Sequence, residues 1–207
     1  MIYRCFFWDF DGTLYDSYNC IGAAALAALA EKGIRVQQDE LIRLAKGSLK
    51  TAFLRIAPAV DLNVLMTEYR RHAHAMGVEK IRLYPGAKDM LRAVCESGGR
   101  NYLYTHRHIA SAMECMERDG VTALFTDAVT ADDGFPAKPA PDALRHLLRK
   151  HALDAKDCVM VGDRSIDLDA GKNAGMAACL FDPEGFYPDY PADWRFQDFS
   201  RMRKTLL

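Results

Sequence analysis

The sequence predicts an α/β protein with a doubly wound parallel sheet and a small α-helical cap domain inserted after the first strand. From Ala87 onward, predicted helices alternate with short apolar strands, a pattern typical of right-handed βαβ units. The stretch from Asp16 to about Gly77 instead contains four predicted helices and no convincing strand. At about 150 residues per domain, a chain of 207 residues suits one core with a modest insertion.

The first strand and the insertion define the domain boundaries. Residues 5–8 are all apolar and mostly aromatic, which is typical of a central strand covered on both faces. The helices of the insertion are predicted at residues 21–32, 38–45, 49–56 and 61–76. We therefore expect a core domain formed by residues 1–14 and 85–207, and a cap domain formed by residues 15–84.

The rest of the core follows a turn at residues 84–86. Helices are predicted at residues 87–96, 109–118, 141–151 and 166–173, and strands at residues 102–104, 128–129, 159–161 and 178–181. The aromatic stretch 187–194 is expected to pack over the core as an extension. The polar, proline-rich tail carries no further predicted element.

Composition narrows the classes of partner. Lys and Arg number 27 against 28 Asp and Glu, so no basic excess favours nucleic acid or acidic lipid. The longest apolar run is too short to span a membrane, and the first residues do not resemble a signal peptide. The six cysteines form no CxxC pair and are expected to be reduced. We expect a cytoplasmic protein, a monomer or weak homodimer, with no nucleic-acid or membrane partner.

Polar residues follow the predicted strands at their carboxyl ends, which is where open parallel sheets bind ligands. They are Asp9 and Asp11 after the first strand, Thr105, His106 and Arg107 after the second, Lys138 downstream of the third, and Asp163 with Asp167 after the fourth. Clustered carboxylates repel one another and imply a bound cation. Carboxylate oxygens without His or Cys neighbours favour a hard ion, with Mg²⁺ the first choice and Mn²⁺ the alternative. A divalent ion beside a lysine and a hydroxyl forms a receptor for a transferring phosphate.

These residues resemble the four motifs of the haloacid dehalogenase superfamily of aspartate-nucleophile phosphatases. The matches are DFDGTL from Asp9, Thr105, Lys138 within AKPAPD, and GDRSIDLDAGKNAG from Gly162, in the family's order. The insertion lies where the small helical cap lies in the phosphoglycolate phosphatase-like and β-phosphoglucomutase-like subgroup. The resemblance covers the entire core.

The resemblance implies a role for each matched residue. Asp9 would be the nucleophile that forms an aspartyl-phosphate, and Asp11 the general acid and base. Thr105 and Lys138 would bind the phosphoryl group, while Gly12 allows close backbone approach. Magnesium would be bound by Asp9 and Asp163 through their carboxylates and by Asp11 through its backbone carbonyl. Asp167 would be an acid close to the metal ion that helps to hold the metal site together.

The activity implied is Mg²⁺-dependent hydrolysis of a small phosphate monoester, phosphoglycolate-like or sugar-phosphate-like. The acid at Asp11 favours phosphate-ester chemistry over cleavage of a carbon–halogen bond. His106 and Arg107 depart from the small or amide residues found in many members, and either could contact the substrate, a small phosphorylated metabolite. A phosphomutase that passes the phosphate to a sugar hydroxyl remains an alternative. A non-catalytic binding module is a further one, although it would be expected to lose Asp9 or Asp11.

Overall fold

The computed structural model describes residues 1–207, which form two compact units. The core unit comprises Met1–Tyr15 and Leu83–Leu207, and the helical unit comprises Asp16–Arg82. The strands are β1 (Cys5–Trp8), β2 (Tyr15–Asp16), β3 (Arg82–Leu83), β4 (Arg100–Tyr104), β5 (Phe125–Val129), β6 (Cys158–Gly162), β7 (Ala177–Phe181) and β8 (Trp194–Phe196). The helices are α1 (Tyr18–Ala30), α2 (Gln38–Gly47), α3 (Leu49–Ile56), α4 (Leu62–Met76), α5 (Ala87–Glu96), α6 (Ile109–Arg118), α7 (Asp142–Lys150), α8 (Ser165–Asn173) and α9 (Phe199–Leu206).

Six strands form one parallel sheet in the order β5-β4-β1-β6-β7-β8, while β2 and β3 pair separately. The predicted fold class, a mostly parallel sheet with helices, is confirmed. The chain proceeds from β1 outward to β4 and β5, then returns to the other side of β1 with β6. The strand order therefore reverses between β1 and β6, and open parallel sheets bind their ligands at the carboxyl ends of the strands at such a reversal.

Strand β1 lies at the centre because its side chains are apolar on both faces of the sheet. Phe7 stacks on Tyr102 at 4.7 Å between ring centroids on one face. On the other face, Trp8 packs at 6.1 Å from Phe199. A strand buried on both sides in this way fixes the position of whatever follows it, and Asp9 follows it directly.

The helical unit has its own apolar cluster. The alanine-rich α1 contributes Ala25 and Leu29, which pack with Leu41, Phe53 and Leu65 from the other three helices. The predicted helix 49–56 matches α3 in this unit, and those at 87–96 and 109–118 match α5 and α6 in the core unit.

The tail contains two elements that the sequence analysis did not predict. Strand β8 and helix α9 both lie beyond Phe181, and Phe199, Met202 and Leu206 of α9 are buried. A three-residue edge strand leaves little periodic signal. The helix does carry one: apolar residues spaced by three and four, and an Asp198 carboxylate that accepts a hydrogen bond from the backbone of Arg201 at 2.8 Å.

Other expectations for the tail and the cysteines are confirmed. Tyr187, Tyr190 and Ala192 pack against the cluster of Leu168, Ala178 and Leu180 in the core unit, as expected for the segment 187–194. All six cysteines are free. None of the nine helices is long and apolar enough to cross a lipid bilayer.

Candidate active site

Three buried carboxylates meet at the carboxyl ends of β1 and β6. Asp9 follows β1, and its backbone N–H donates to the carbonyl of Val161 at 2.9 Å, which extends the sheet pairing by one residue. Asp163 follows β6, and Asp167 lies in the first turn of α8. The exposed fractions of Asp9, Asp163 and Asp167 are 1%, 6% and 0%, so all three are removed from bulk water.

Lys138 lies between two of these acids. Its Nζ donates to Asp9 Oδ1 at 2.5 Å and to the backbone carbonyl of Tyr104 at 2.8 Å, and it lies 2.8 Å from Asp167 Oδ1. The ammonium also lies 4.4 Å from the centre of the Tyr104 ring. A buried lysine needs such partners because an isolated buried charge is costly. The contacts fix Lys138 and orient the Asp9 carboxylate.

Burial and the contacts with Lys138 shift the pKa values of the acids in opposite directions. Burial raises the pKa of Asp9 to about 6, although Lys138 opposes that rise. Burial would also raise the pKa of Asp167, but Lys138 and Arg164 together lower it. For Lys138, burial is outweighed by Asp167 and Asp9, and its pKa is raised. Lys138 therefore stays protonated, and Asp167 stays ionised.

The acid cluster fits a divalent cation. Carboxylate oxygens of Asp9, Asp163 and Asp167 lie within 4.8 Å of one another. Asp9 Oδ2 is buried and has no hydrogen-bond partner. Three carboxylates face two cationic side chains, Lys138 and Arg164, so negative charge is left over. A hard cation would satisfy both the orphaned oxygen and the excess charge.

Two glycines shape the backbone around the cluster. At Gly162, the last residue of β6, an added Cβ would lie 2.2 Å from Asp167 Cβ and 2.9 Å from its Oδ2. Only a residue without a side chain lets Asp167 approach β6 so closely. Gly12 has φ of +81°, a left-handed conformation that turns the chain after Asp11.

Asp11 is predicted beside Asp9, but its side chain lies outside the acid cluster. Its two carboxylate oxygens accept from Arg107, Oδ1 from Nη2 at 2.5 Å and Oδ2 from Nε at 3.2 Å. Asp11 therefore has its own countercharge, separate from Lys138. Arg107, predicted to contact substrate, uses its guanidinium on this acid.

Thr105 and His106 reach the site from the end of β4. The buried Thr105 Oγ1 accepts from the backbone N–H of Arg107 at 3.0 Å, so its hydroxyl proton can still be donated to a ligand. His106 Nε2 accepts from the backbone N–H of Lys138 at 3.0 Å. Burial, with Lys138 nearby, lowers the pKa of His106 to about 4, so the ring is neutral and can accept this bond. His106 thus fixes the backbone that carries Lys138.

Arg164 and Thr13 join the site without having been predicted. Arg164 Nε lies 3.6 Å from Asp167 Oδ2 and 3.9 Å from Asp163 Oδ1. Thr13 Oγ1 lies within 3.5 Å of Asp163 Oδ1. Both residues stand inside the quoted motifs, next to Asp163 and Gly12, and that adjacency was the available signal.

Comparison with known proteins identifies sequences and structures that are similar to this chain. The family model of haloacid dehalogenase-like hydrolases matches residues 6–181. A phosphoglycolate phosphatase from Vibrio parahaemolyticus is 30% identical over 183 residues, covering 83% of this chain and 80% of the relative. A pyrophosphatase from Halalkalibacterium halodurans is 26% identical, over 84% of this chain and 80% of its own length. A solved structure from Haemophilus somnus, described as a predicted phosphoglycolate phosphatase, has a TM-score of 0.87 at 20% identity, covering 100% of this chain and 99% of that one.

The family model and these relatives identify the chain as a phosphatase-type hydrolase, which confirms the predicted enzyme class. The chain belongs to the haloacid dehalogenase-like hydrolases. Phosphatases of this family are generally metal-dependent, in keeping with the buried acid cluster.

Proposed function

We propose that the protein hydrolyses a small phosphate monoester with Mg²⁺ as cofactor, through an aspartyl-phosphate on Asp9. The observation that carries this is the state of Asp9: a buried carboxylate directly after the central strand, with Oδ1 held by Lys138 and Oδ2 without a partner. A carboxylate oriented by a permanent cation and withdrawn from water is suited to attack phosphorus.

The reaction would take two displacement steps. An oxygen of Asp9 attacks phosphorus, the bond from phosphorus to the ester oxygen breaks, and Asp11 gives its proton to the departing oxygen. Water then attacks the phosphorus of the aspartyl-phosphate and gives a proton to Asp11. The bond from phosphorus to Asp9 breaks, releasing inorganic phosphate and restoring the Asp9 carboxylate.

The other site residues would bind the phosphoryl group and the metal. Thr105 would donate its hydroxyl proton to a phosphoryl oxygen, and Lys138 would offset the charge on Asp9 and the transferring group. Gly12 would let the backbone after Asp11 approach the phosphate. The residues that would hold Mg²⁺ are Asp9, Asp163, Asp167 and the backbone carbonyl of Asp11. When bound, the ion would neutralise charge on the phosphoryl oxygens.

The substrate would be a small phosphorylated metabolite. The alignments with relatives described as phosphoglycolate phosphatases cover most of this chain and most of each relative. They support a phosphoglycolate-like or sugar-phosphate-like ester as the substrate. The pyrophosphatase relative makes inorganic pyrophosphate a necessary member of any substrate panel.

The test is phosphate release from such a panel with Mg²⁺ and with EDTA. The Asp9→Asn variant should lose release from every substrate, and EDTA should abolish release by the wild type. Asp189→Asn is the matched control, since Asp189 is an exposed acid of the core unit. No release by folded wild-type protein would overturn the proposal. A stable Asp9 phosphoenzyme that passes its phosphate to a sugar instead of water would show a mutase.

A further inference from the structure

We propose that Arg107 is a positioning residue for Asp11: it holds the Asp11 carboxylate where the ester oxygen leaves and does not itself bind the substrate. This inference rests on the proposed function, because Asp11 transfers the proton in that reaction and Arg107 is the residue that holds Asp11 in place.

The pair has the geometry of a clamp. Nε and Nη2 of Arg107 donate to different oxygens of the same carboxylate, at 3.2 and 2.5 Å. Two roughly parallel charge-assisted bonds fix the rotation of the carboxylate as well as its position. The exposed fractions of the Arg107 and Asp11 side chains are 15% and 23%, so the pair is largely shielded from solvent.

Arg107 is itself fixed at both ends. Its Nη1 donates to Ser111 Oγ at 2.8 Å, and the guanidinium lies 4.9 Å from the ring centre of the fully buried Phe10. Its backbone N–H donates to Thr105 Oγ1, and its carbonyl accepts from the backbone of Ala131 at 3.1 Å. The same backbone bond that anchors Arg107 also orients Thr105, a proposed phosphoryl ligand.

The clamp also explains why Asp11 lies apart from the acid cluster. An unpaired Asp11 carboxylate would be attracted to Lys138, or to a cation bound by Asp9, Asp163 and Asp167. Arg107 supplies a separate countercharge that keeps Asp11 apart from these cations, while part of the Asp11 side chain remains exposed. Since Nε, Nη1 and Nη2 all have protein partners, positioning accounts for the guanidinium better than direct substrate binding does.

The two roles differ in how they depend on the leaving group. When an alkyl ester breaks, the departing oxygen must receive the Asp11 proton as the bond from phosphorus breaks. The 4-nitrophenolate ion is stable without a proton. A loss of Asp11 positioning therefore lowers kcat/KM selectively for alkyl esters, because kcat/KM covers the steps up to departure of the ester oxygen and leaves out the later hydrolysis step that both esters share. A general loss of binding or of folding lowers it for both esters alike.

The experiment compares kcat/KM for ethyl phosphate and 4-nitrophenyl phosphate in Arg107→Gln, Asp11→Asn and the double variant. We expect Arg107→Gln to lose about 10- to 100-fold on ethyl phosphate and less than about threefold on 4-nitrophenyl phosphate. The double variant should be no slower on ethyl phosphate than Asp11→Asn, because both changes remove one function. Arg149→Gln, an exposed arginine of α7, is the matched control.

Arg107→Lys keeps the inference testable if the glutamine variant does not fold. A lysine keeps the positive charge but cannot donate two parallel bonds, so it should show the same selectivity with a smaller loss. Equal losses on both esters, or additive losses in the double variant, would overturn the inference while leaving the Asp9 phosphatase intact. Absence of Asp9-dependent release in the wild type would instead overturn the proposed function.

Discussion

Gly162 sets the distance between β6 and the first turn of α8, and so places Asp167 within the acid cluster. The space that a methyl group would need is already filled by Asp167 Cβ and Cγ, 2.2 and 2.7 Å from the position of an added Cβ. Because Asp167 is itself fully buried, its side chain cannot move aside cheaply.

Gly162→Ala is therefore expected to displace Asp167 and weaken metal binding. We expect at least a tenfold higher Mg²⁺ concentration for half-maximal phosphate release, with the far-ultraviolet circular dichroism unchanged. Isothermal titration calorimetry with Mg²⁺ measures the binding affinity independently of turnover. An unchanged Mg²⁺ affinity in the folded variant would show that Asp167 has no part in the metal site.

Asn101, the second residue of β4, joins several elements through one buried side chain. Its Oδ1 accepts from Trp8 Nε1 of β1 at 2.9 Å. Its Nδ2 donates to the carbonyls of Leu91 in α5 at 2.9 Å and Leu124 before β5 at 3.1 Å. Because the residue is fully buried, water cannot replace these bonds if the amide is removed.

Asn101→Leu is expected to lower the free energy of unfolding by about 2–4 kcal/mol, since it leaves the Trp8 N–H unpaired and removes one hydrogen bond from each of two carbonyls. Urea unfolding monitored by circular dichroism measures the change. Combining it with Trp8→Phe should cost less than the sum of the two single changes, because the orphaned donor is then removed. Strict additivity would contradict the coupling.

Asp127 links the edge strand β5 to the end of α7. Its Oδ2 lies 2.7 Å from Lys150 Nζ and 2.7 Å from His151 Nε2, and its Oδ1 accepts from the backbone of Ala128 at 2.9 Å. Burial would raise its pKa, but these partners outweigh it and lower the pKa to about 2 from its ordinary 3.8. The ionised carboxylate of Asp127 is thus more stable in the folded state than in the unfolded state.

A lowered pKa of this kind stabilises the fold above about pH 4 and ceases to do so as the pH falls through about 2. The advantage of wild type over Asp127→Asn should therefore be about 2 kcal/mol at pH 5 and should shrink at pH 2.5. Urea titrations at the two pH values test this, with Asp189→Asn as the control. A difference that does not vary with pH would refute the ionic origin.

At the scale of the whole molecule, the acid cluster gathers residues from distant parts of the chain that only the folded state brings together. An ion bound there binds the native state alone, so it must raise the stability of the protein. With Mg²⁺ at about 100 times its Kd, the gain is about 2.7 kcal/mol, which corresponds to a rise in Tm of about 5–10 °C for a chain of this size.

The rise in Tm is expected in wild type and should be largely lost in Asp163→Asn. Thermal unfolding with MgCl₂ and with KCl at equal ionic strength separates binding from charge screening. Identical shifts in the wild type and the variant would mean that Mg²⁺ stabilises the protein elsewhere.

The fold class and the set of residues that can carry chemistry follow from the amino-acid sequence alone. Apolar strands alternating with helices imply a parallel sheet, and in a parallel sheet the residues after each strand share one edge. Asp9, Thr105, Lys138 and Asp163 could therefore be named without coordinates. The predicted helices 49–56, 87–96 and 109–118 followed from local periodicity and their flanking glycines and prolines.

How those residues are paired is visible only in the folded protein. Lys138 bonds to Asp9, 129 positions away, and Arg107 bonds to Asp11, 96 positions away. Local periodicity holds no information on contacts of this range, because they depend on strand order and on which side chains burial forces together. The periodicity of α9 is local, but its place in the fold depends on such a contact, since Phe199 packs against Trp8 near the other end of the chain.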